Sequence, residues 1–87
     1  MAARSISLHF YGRLRDAAGG AERKAVLPDH VQTADDLIAW IAAGDSALGE
    51  ALAHPSVKIA AGDAIIPRGA TIRQAADISF LPPFSGG

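Results

Sequence analysis

The sequence ends in Asp77-Ile-Ser-Phe-Leu-Pro-Pro-Phe-Ser-Gly-Gly87, and this stretch organises our interpretation of the rest. Side chains alternate between the two faces of a strand. Ile78 and Phe80 therefore share one face of a predicted strand, which we expect to face the core. Ser79 and Leu81 share the opposite face. The stretch thus predicts a final strand that continues into a tail.

Two prolines end this strand, because neither Pro82 nor Pro83 has an N–H to donate to a neighbouring strand. Pro83 also favours polyproline geometry at Pro82, so the chain leaves the sheet as a semi-rigid spur. The last four residues, 84–87, reach roughly 13–14 Å further at full extension. Gly86 and Gly87 lack a Cβ, so their backbone fits a channel too narrow for side chains. A frayed terminus or a cloning scar also ends in Gly-Gly, but the connected strand, proline stop and glycines favour a functional tail that displays its carboxylate.

The ending Phe80-Leu-Pro-Pro-Phe-Ser-Gly-Gly87 resembles the terminus of the small subunit of molybdopterin synthase, MoaD, a ubiquitin-like sulfur carrier. Its Pro-Pro-x-Ser/Thr-Gly-Gly pattern is quite specific to that family. The opening Phe10-Tyr-Gly-Arg-Leu-Arg-Asp16 is similar to the family's first strand and short helix. The sequence departs from the family at Ala61-Gly62 and at Ala75-Ala76-Asp77, and the second departure removes a glycine from the turn before the last strand.

Length and composition exclude several classes of protein. Eighty-seven residues make one domain with a modest core, which we place at residues 1–83, with residues 84–87 as an extended tail. The chain has no cysteine, so disulfides and thiolate metal sites are impossible. A formal net charge of −1 argues against a nucleic-acid surface. The sequence contains no apolar run of membrane-spanning length and no signal peptide, so we expect a cytoplasmic protein.

Hydrophobic periodicity predicts five strands around one main helix. Thr33 is the predicted N-cap of this helix, with Asp36 completing a capping box, and Gly44 is predicted to lie just beyond its end. Gly62-Asp63 is a glycine-first hairpin turn, and Ile72 is expected to fill a core pocket. The predicted strands span residues 5–11, 22–27, 57–61, 64–66 and 77–81, and the helices span 13–18, 33–43 and 46–53. An α+β fold with a mixed sheet and the main helix on one face follows, which is the β-grasp (ubiquitin-like) architecture of the family that the chain resembles.

The chain shows no pattern typical of an active site of its own. His9, His30 and His54 lack zinc-site spacing, so we interpret them as surface residues and expect no bound metal. No serine lies in a nucleophile elbow. Whether the protein counts as an enzyme therefore depends on the complex in which it acts.

The resemblance implies which residues bind partners. Tyr11, Ile65 and Leu81 align with the family's partner-binding positions, and alternation places Tyr11 and Leu81 opposite the core-facing residues of their strands. An apolar patch outside the core, beside an extended tail, is typical of a docking surface. The alternatives are that isolated apolar residues on a surface are common, or that the helix covers this face in a different register.

The resemblance also implies a chemistry. A MoeB-like, ubiquitin-activating-type enzyme would use ATP to adenylate Gly87, and a sulfur donor would convert the adenylate to a thiocarboxylate. The tail would then insert into the large subunit of molybdopterin synthase (MoaE-like), in a heterotetramer of two small and two large subunits, and deliver sulfur to cyclic pyranopterin monophosphate. Two deliveries make the dithiolene of molybdopterin. We expect no cofactor bound to the chain itself, and the residues implied in tail insertion are Pro82, Pro83, Phe84, Ser85 and Gly86.

Three alternatives remain open from the sequence. The first is the sulfur carrier of thiamin thiazole synthesis, which also ends in Gly-Gly but usually is shorter and lacks the two prolines. The second is a ubiquitin-like modifier that attaches Gly87 to lysines of other proteins. The third is a non-covalent β-grasp binding module with an inert tail.

Overall fold

The computed structural model describes residues 4–83, which form one mixed sheet and three helices. The sheet order is β2-β1-β5-β3-β4. The central pair, β1 and β5, is parallel, and the other neighbours are antiparallel. This topology confirms the predicted α+β β-grasp fold. The elements are β1 (Arg4–Phe10), α1 (Arg13–Ala18), β2 (Glu22–Leu27), α2 (Ala34–Gly44), α3 (Ser46–Ala53), β3 (Lys58–Ala61), β4 (Ala64–Ile66) and β5 (Asp77–Leu81).

The core lies between one face of the sheet and the helices. Alternate residues of the strands face it, as predicted for Phe10, Ile78 and Phe80, which are 1%, 0% and 0% exposed. Helix residues such as Leu14 and Leu37 belong to the same buried cluster. The predicted plug, Ile72, is 1% exposed and joins that cluster. The period-2 patterns of β1 and β5 therefore identified their buried faces correctly.

Helix α2 begins at the predicted capping box. The Thr33 hydroxyl accepts a hydrogen bond from the Asp36 N–H at 3.1 Å. The Asp36 carboxylate accepts from the N–H groups of Gln32 and Thr33, both at 3.1 Å. These backbone donors, first that of Gln32 and then that of Thr33, lower the pKa of Asp36 below its ordinary value. The charged form of this carboxylate is therefore the one that caps the helix.

The predicted end of this helix was wrong by one residue. Gly44 is the last helical residue, and the following Asp45 is extended, with φ −151°. The Asp45 carboxylate accepts from the Leu48 N–H at 3.1 Å and so caps α3. Because one residue ends α2 and begins α3, the chain needs no left-handed glycine between the two helices.

Four local features at strand ends can be compared with the structure. Strand β1 ends at Phe10 rather than at residue 11, because the Tyr11 carbonyl already accepts the Leu14 N–H that opens α1. Strand β3 begins at Lys58, one residue later than expected. Gly62 has φ +59°, the positive value that the first position of a glycine-first turn requires. Among the described residues, no residue other than glycine has a positive φ. The turn before β5 forms without the family's glycine, and the Ala76 carbonyl accepts from the Ser7 N–H at 3.1 Å.

The two longer helices cross at a glycine. A Cβ at Gly49 would lie 2.2 Å from the Cβ and 2.5 Å from the Cα of Ala42. Gly49→Ala should therefore separate α2 from α3 and lower the free energy of unfolding by about 1–3 kcal/mol or more. Urea unfolding of both variants measures this effect against Gly44→Ala, whose Cβ meets nothing within 4 Å. Equal stability of the two variants would show that the helices do not need this close contact.

Candidate functional site

The outer face of the sheet, opposite the core, carries Lys24 and the exposed Val26 at its β2 edge and mainly apolar side chains at its β4 edge. Near β2, the Lys24 ammonium donates a hydrogen bond to the Ser7 hydroxyl at 2.9 Å. Near β4, the cross-strand pairs Lys58↔Leu81 and Ala60↔Ile65 place Leu81 and Ile65 on the same outer surface. This apolar half is where the predicted docking residues belong.

The structure brings all three predicted docking residues together. Tyr11, Ile65 and Leu81 line one groove of about 650 Å³, which we call the outer groove. Tyr11 is 49% and Ile65 is 59% exposed, whereas Leu81 is half-buried. The outer groove is lined by Tyr11, Ser56, Lys58, Ile65, Leu81, Pro82 and Pro83. Its walls are thus mostly apolar, with one ammonium group at the margin.

The parallel pairing of β1 with β5 positions Tyr11. Phe10 lies opposite Phe80 in this register, and the Tyr11 N–H donates to the Phe80 carbonyl at 3.3 Å. Because side chains alternate, Tyr11 and Leu81 both point away from the buried phenylalanine pair. The predicted strand faces are correct, although Tyr11 itself follows the strand instead of belonging to it.

The proline spur begins inside the outer groove. Pro82 is half-buried and Pro83 is exposed, and both line the groove. The tail leaves the fold here, so a partner seated in the groove also contacts the base of the tail. Phe84, Ser85, Gly86 and Gly87 lie outside the described residues, and their implied roles stay predictions.

Sequence reasoning missed the loop between α3 and β3. This loop supplies Ser56, and Lys58 follows at the start of β3. The Arg68 guanidinium holds the loop in place by donating to the carbonyls of Leu52, His54 and Val57 at 3.2, 2.6 and 3.0 Å. An arginine two residues after β4 carries no local signal for this role, because its partners are distant in sequence.

Residues 4–83 contain no group of three or more His, Cys, Asp or Glu side chains that could hold a metal ion. The Nδ1 atom of His54 instead contacts its own loop, at 3.2 Å from the Ser56 N–H nitrogen and 2.6 Å from the Ser56 hydroxyl oxygen. Within the same residues, no helix has the length and apolar character needed to cross a bilayer.

Comparisons with known proteins agree with this architecture. A profile of the ThiS family matches residues 8–87. No curated protein sequence matches the chain significantly. The crystal structure of SAMP1 from Haloferax volcanii is similar, with a TM-score of 0.77 and 17% identity over 97% of this chain and 100% of that one. The solution structure of small archaeal modifier protein 1 from Methanosarcina acetivorans has a TM-score of 0.74 and 19% identity over 100% of both chains. At these identities, the structural matches establish the ubiquitin-like fold.

Proposed function

The chain belongs to the ThiS family of ubiquitin-like sulfur carriers, and on this premise we propose that it is the sulfur-carrier subunit of a molybdopterin synthase. The observation that carries the proposal is the position of the outer groove. An apolar groove lined by Tyr11, Ile65 and Leu81 lies at the root of the proline spur, and the sequence beyond the spur continues to Gly87. In this proposal, the groove binds the partner protein and the adjoining tail delivers sulfur to it.

The outer groove supports a protein partner. Exposed tyrosine and isoleucine side chains on the surface of a small domain gain free energy when a partner removes them from water. The partner that we propose is the large subunit of molybdopterin synthase, in a complex of two small and two large subunits. A hydrogen-bond acceptor on that subunit would pair with Lys58 at the groove margin, because an ammonium buried without a partner is costly.

The proposed chemistry takes place at the carboxylate of Gly87. This carboxylate attacks the α-phosphorus of ATP on an adenylating enzyme, and pyrophosphate leaves. A sulfur nucleophile then attacks the acyl carbon of the mixed anhydride and expels AMP, which gives a thiocarboxylate. Its ionised sulfur is a strong nucleophile for the same reason that thiolates are. The sulfur attacks an electrophilic carbon of the pterin precursor and displaces an oxygen substituent from it. Water then hydrolyses the acyl–sulfur bond, which restores the Gly87 carboxylate and leaves the sulfur on the product.

A second candidate function is protein modification. The similar solved structures carry the name small archaeal modifier protein, and the same acyl-adenylate can react with a lysine amine in place of a sulfur nucleophile. The two functions share the fold, the tail and the activation step. They differ in the atom that becomes bonded to the Gly87 carbonyl carbon, which is sulfur in a sulfur carrier and the lysine nitrogen in a protein modifier.

The intact mass of the 87-residue chain tests the proposal. After incubation with an adenylating enzyme, ATP and a sulfur source, we expect one oxygen replaced by sulfur, located in the C-terminal peptide. The chain has no cysteine, so persulfide on a side-chain thiol cannot produce this mass change. Unchanged mass under conditions that load a known carrier would contradict the sulfur-carrier function. Adducts on lysines of added proteins, without thiocarboxylate, would support the modifier function instead.

A further inference from the structure

The turn between β1 and α1 lies directly against the base of the tail. Gly12 precedes α1 with φ 58° and ψ −136°, a backbone conformation that side-chain-bearing residues rarely adopt. A Cβ at this position would lie 2.8 Å from the Cγ of Pro82. Gly12 is thus required both by its own backbone angles and by the proline ring beside it.

Both partners in this contact are held firmly. The Tyr11 N–H donates to the Phe80 carbonyl at 3.3 Å, which ties the turn to β5. The Gly12 carbonyl accepts from the Arg15 N–H at 3.1 Å, which ties the turn to α1. Pro82 has a closed ring and a fixed φ, so its Cγ can move only by a change of ring pucker or by a shift of the whole ring. A group added at Gly12 must therefore displace the Pro82 Cγ or distort the turn.

Two grooves adjoin Pro82 at the point where the chain leaves the sheet. Pro82 and Pro83 line the outer groove, and they also line a second groove of about 410 Å³ between α1 and α3. Leu14 and Ala51 contribute to the walls of this second groove. The base of the tail therefore borders both grooves.

We propose that Gly12 is a positioning residue that sets the exit direction of the tail by seating the ring of Pro82. The contact acts on delivery through Pro82, and Gly12 itself touches no reacting atom. This role rests on the proposed sulfur-carrier function, since the exit direction matters only if the tail must reach a partner's active site.

The expected displacement follows from the geometry. With alanine at position 12, the contact must open from 2.8 Å to an ordinary separation of at least 3.4 Å. Because the ring lies only a few ångströms from the end of β5, this opening tilts the spur by roughly 10°. Over the roughly 13–14 Å reach of the last four residues, that tilt moves the chain end by about 2 Å.

A distance measurement tests the inference without any activity assay. The cysteine-free chain allows spin labels at Ala47→Cys on α3 and Ser85→Cys in the tail. Ser85 lies about half way along the reach of the last four residues, so we expect Gly12→Ala to shift the mean label distance by about 1 Å. Gly12→Ala/Pro82→Ala, which lacks the Pro82 Cγ, should return it toward the value of Pro82→Ala alone. The matched control is Gly19→Ala, because Gly19 also has positive φ, +78°, but a Cβ there meets nothing within 4 Å. An unchanged distance in Gly12→Ala, or an equal shift in Gly19→Ala, would overturn the inference.

Sulfur delivery at saturating partner concentration provides the second readout. A displacement of about 1 Å from productive geometry costs on the order of a hundredfold in rate, so we expect Gly12→Ala to slow delivery at least that much. Gly19→Ala, which also places an alanine at a position of positive φ, should deliver at the wild-type rate, and the Pro82→Ala double variant should recover part of the loss. A wild-type rate in Gly12→Ala would overturn the inference. Absence of delivery by the wild-type chain would instead contradict the proposed function, and the label distances would still decide the role of Gly12.

Discussion

Replacing Phe80 by alanine is expected to lower the free energy of unfolding by about 3–5 kcal/mol. Phe80 is fully buried in the central strand β5. Its ring stacks on that of Phe10, with centroids 5.5 Å apart and planes 14° apart. The alanine variant loses this ring pair and leaves a cavity that the rigid sheet cannot close. Because small domains have roughly 5–15 kcal/mol of stability, the loss should be evident as a much lower urea midpoint.

Leu81 is the matched control, since it occupies the next position of the same strand on the opposite face. Leu81→Ala should change stability by no more than about 1 kcal/mol while weakening association with the large subunit, measured by calorimetry. If Leu81→Ala unfolds the protein and Phe80→Ala weakens only docking, the assignment of strand faces would be wrong by one residue.

Changing the length of the tail is expected to abolish sulfur delivery without affecting the fold. Adding one residue after Gly87, or deleting Gly87, moves the terminal carboxylate by roughly 3.5 Å. A misplacement of about 1 Å already costs on the order of a hundredfold, so delivery should fall at least that far. Neither change alters any residue of the core cluster or of the outer groove among residues 4–83. Calorimetry should therefore show near wild-type affinity, apart from contacts made by the tail itself.

Gly86→Val tests the same requirement at constant length. A β-branched side chain stiffens the backbone and is too wide for a channel that admits two glycines. Delivery should fall again, with stability unchanged. Near-normal product formation by both the lengthened and the Gly86→Val chains would contradict a delivery role for the tail and favour a non-covalent binding module.

The sequence was most informative where a local pattern determines structure. Alternation in β1 and β5 identified the buried faces, because burial of one face repeats every second residue. The capping box of α2 was predictable because Thr33 and Asp36 are three residues apart and bond to each other's backbone. The end of α2 was less predictable, since Asp45 serves two helices at once.

Contacts between distant parts of the chain gave no such signal. Gly12 lies far from Pro82 in the sequence, and no local pattern indicates the contact between them. The hydrogen bonds by which Arg68 holds the loop between α3 and β3 were likewise not predictable from the sequence. The proposed docking residues were selected by family resemblance, and the fold shows that they line one groove.

The most direct measurement is product formation from purified thiocarboxylated chain, the large subunit of molybdopterin synthase and cyclic pyranopterin monophosphate. We predict that dithiolene forms with two carrier chains returned to the carboxylate for each product, as intact mass of the carrier will show. Stable association with the large subunit, but thiocarboxylate that persists and no dithiolene, would contradict the account.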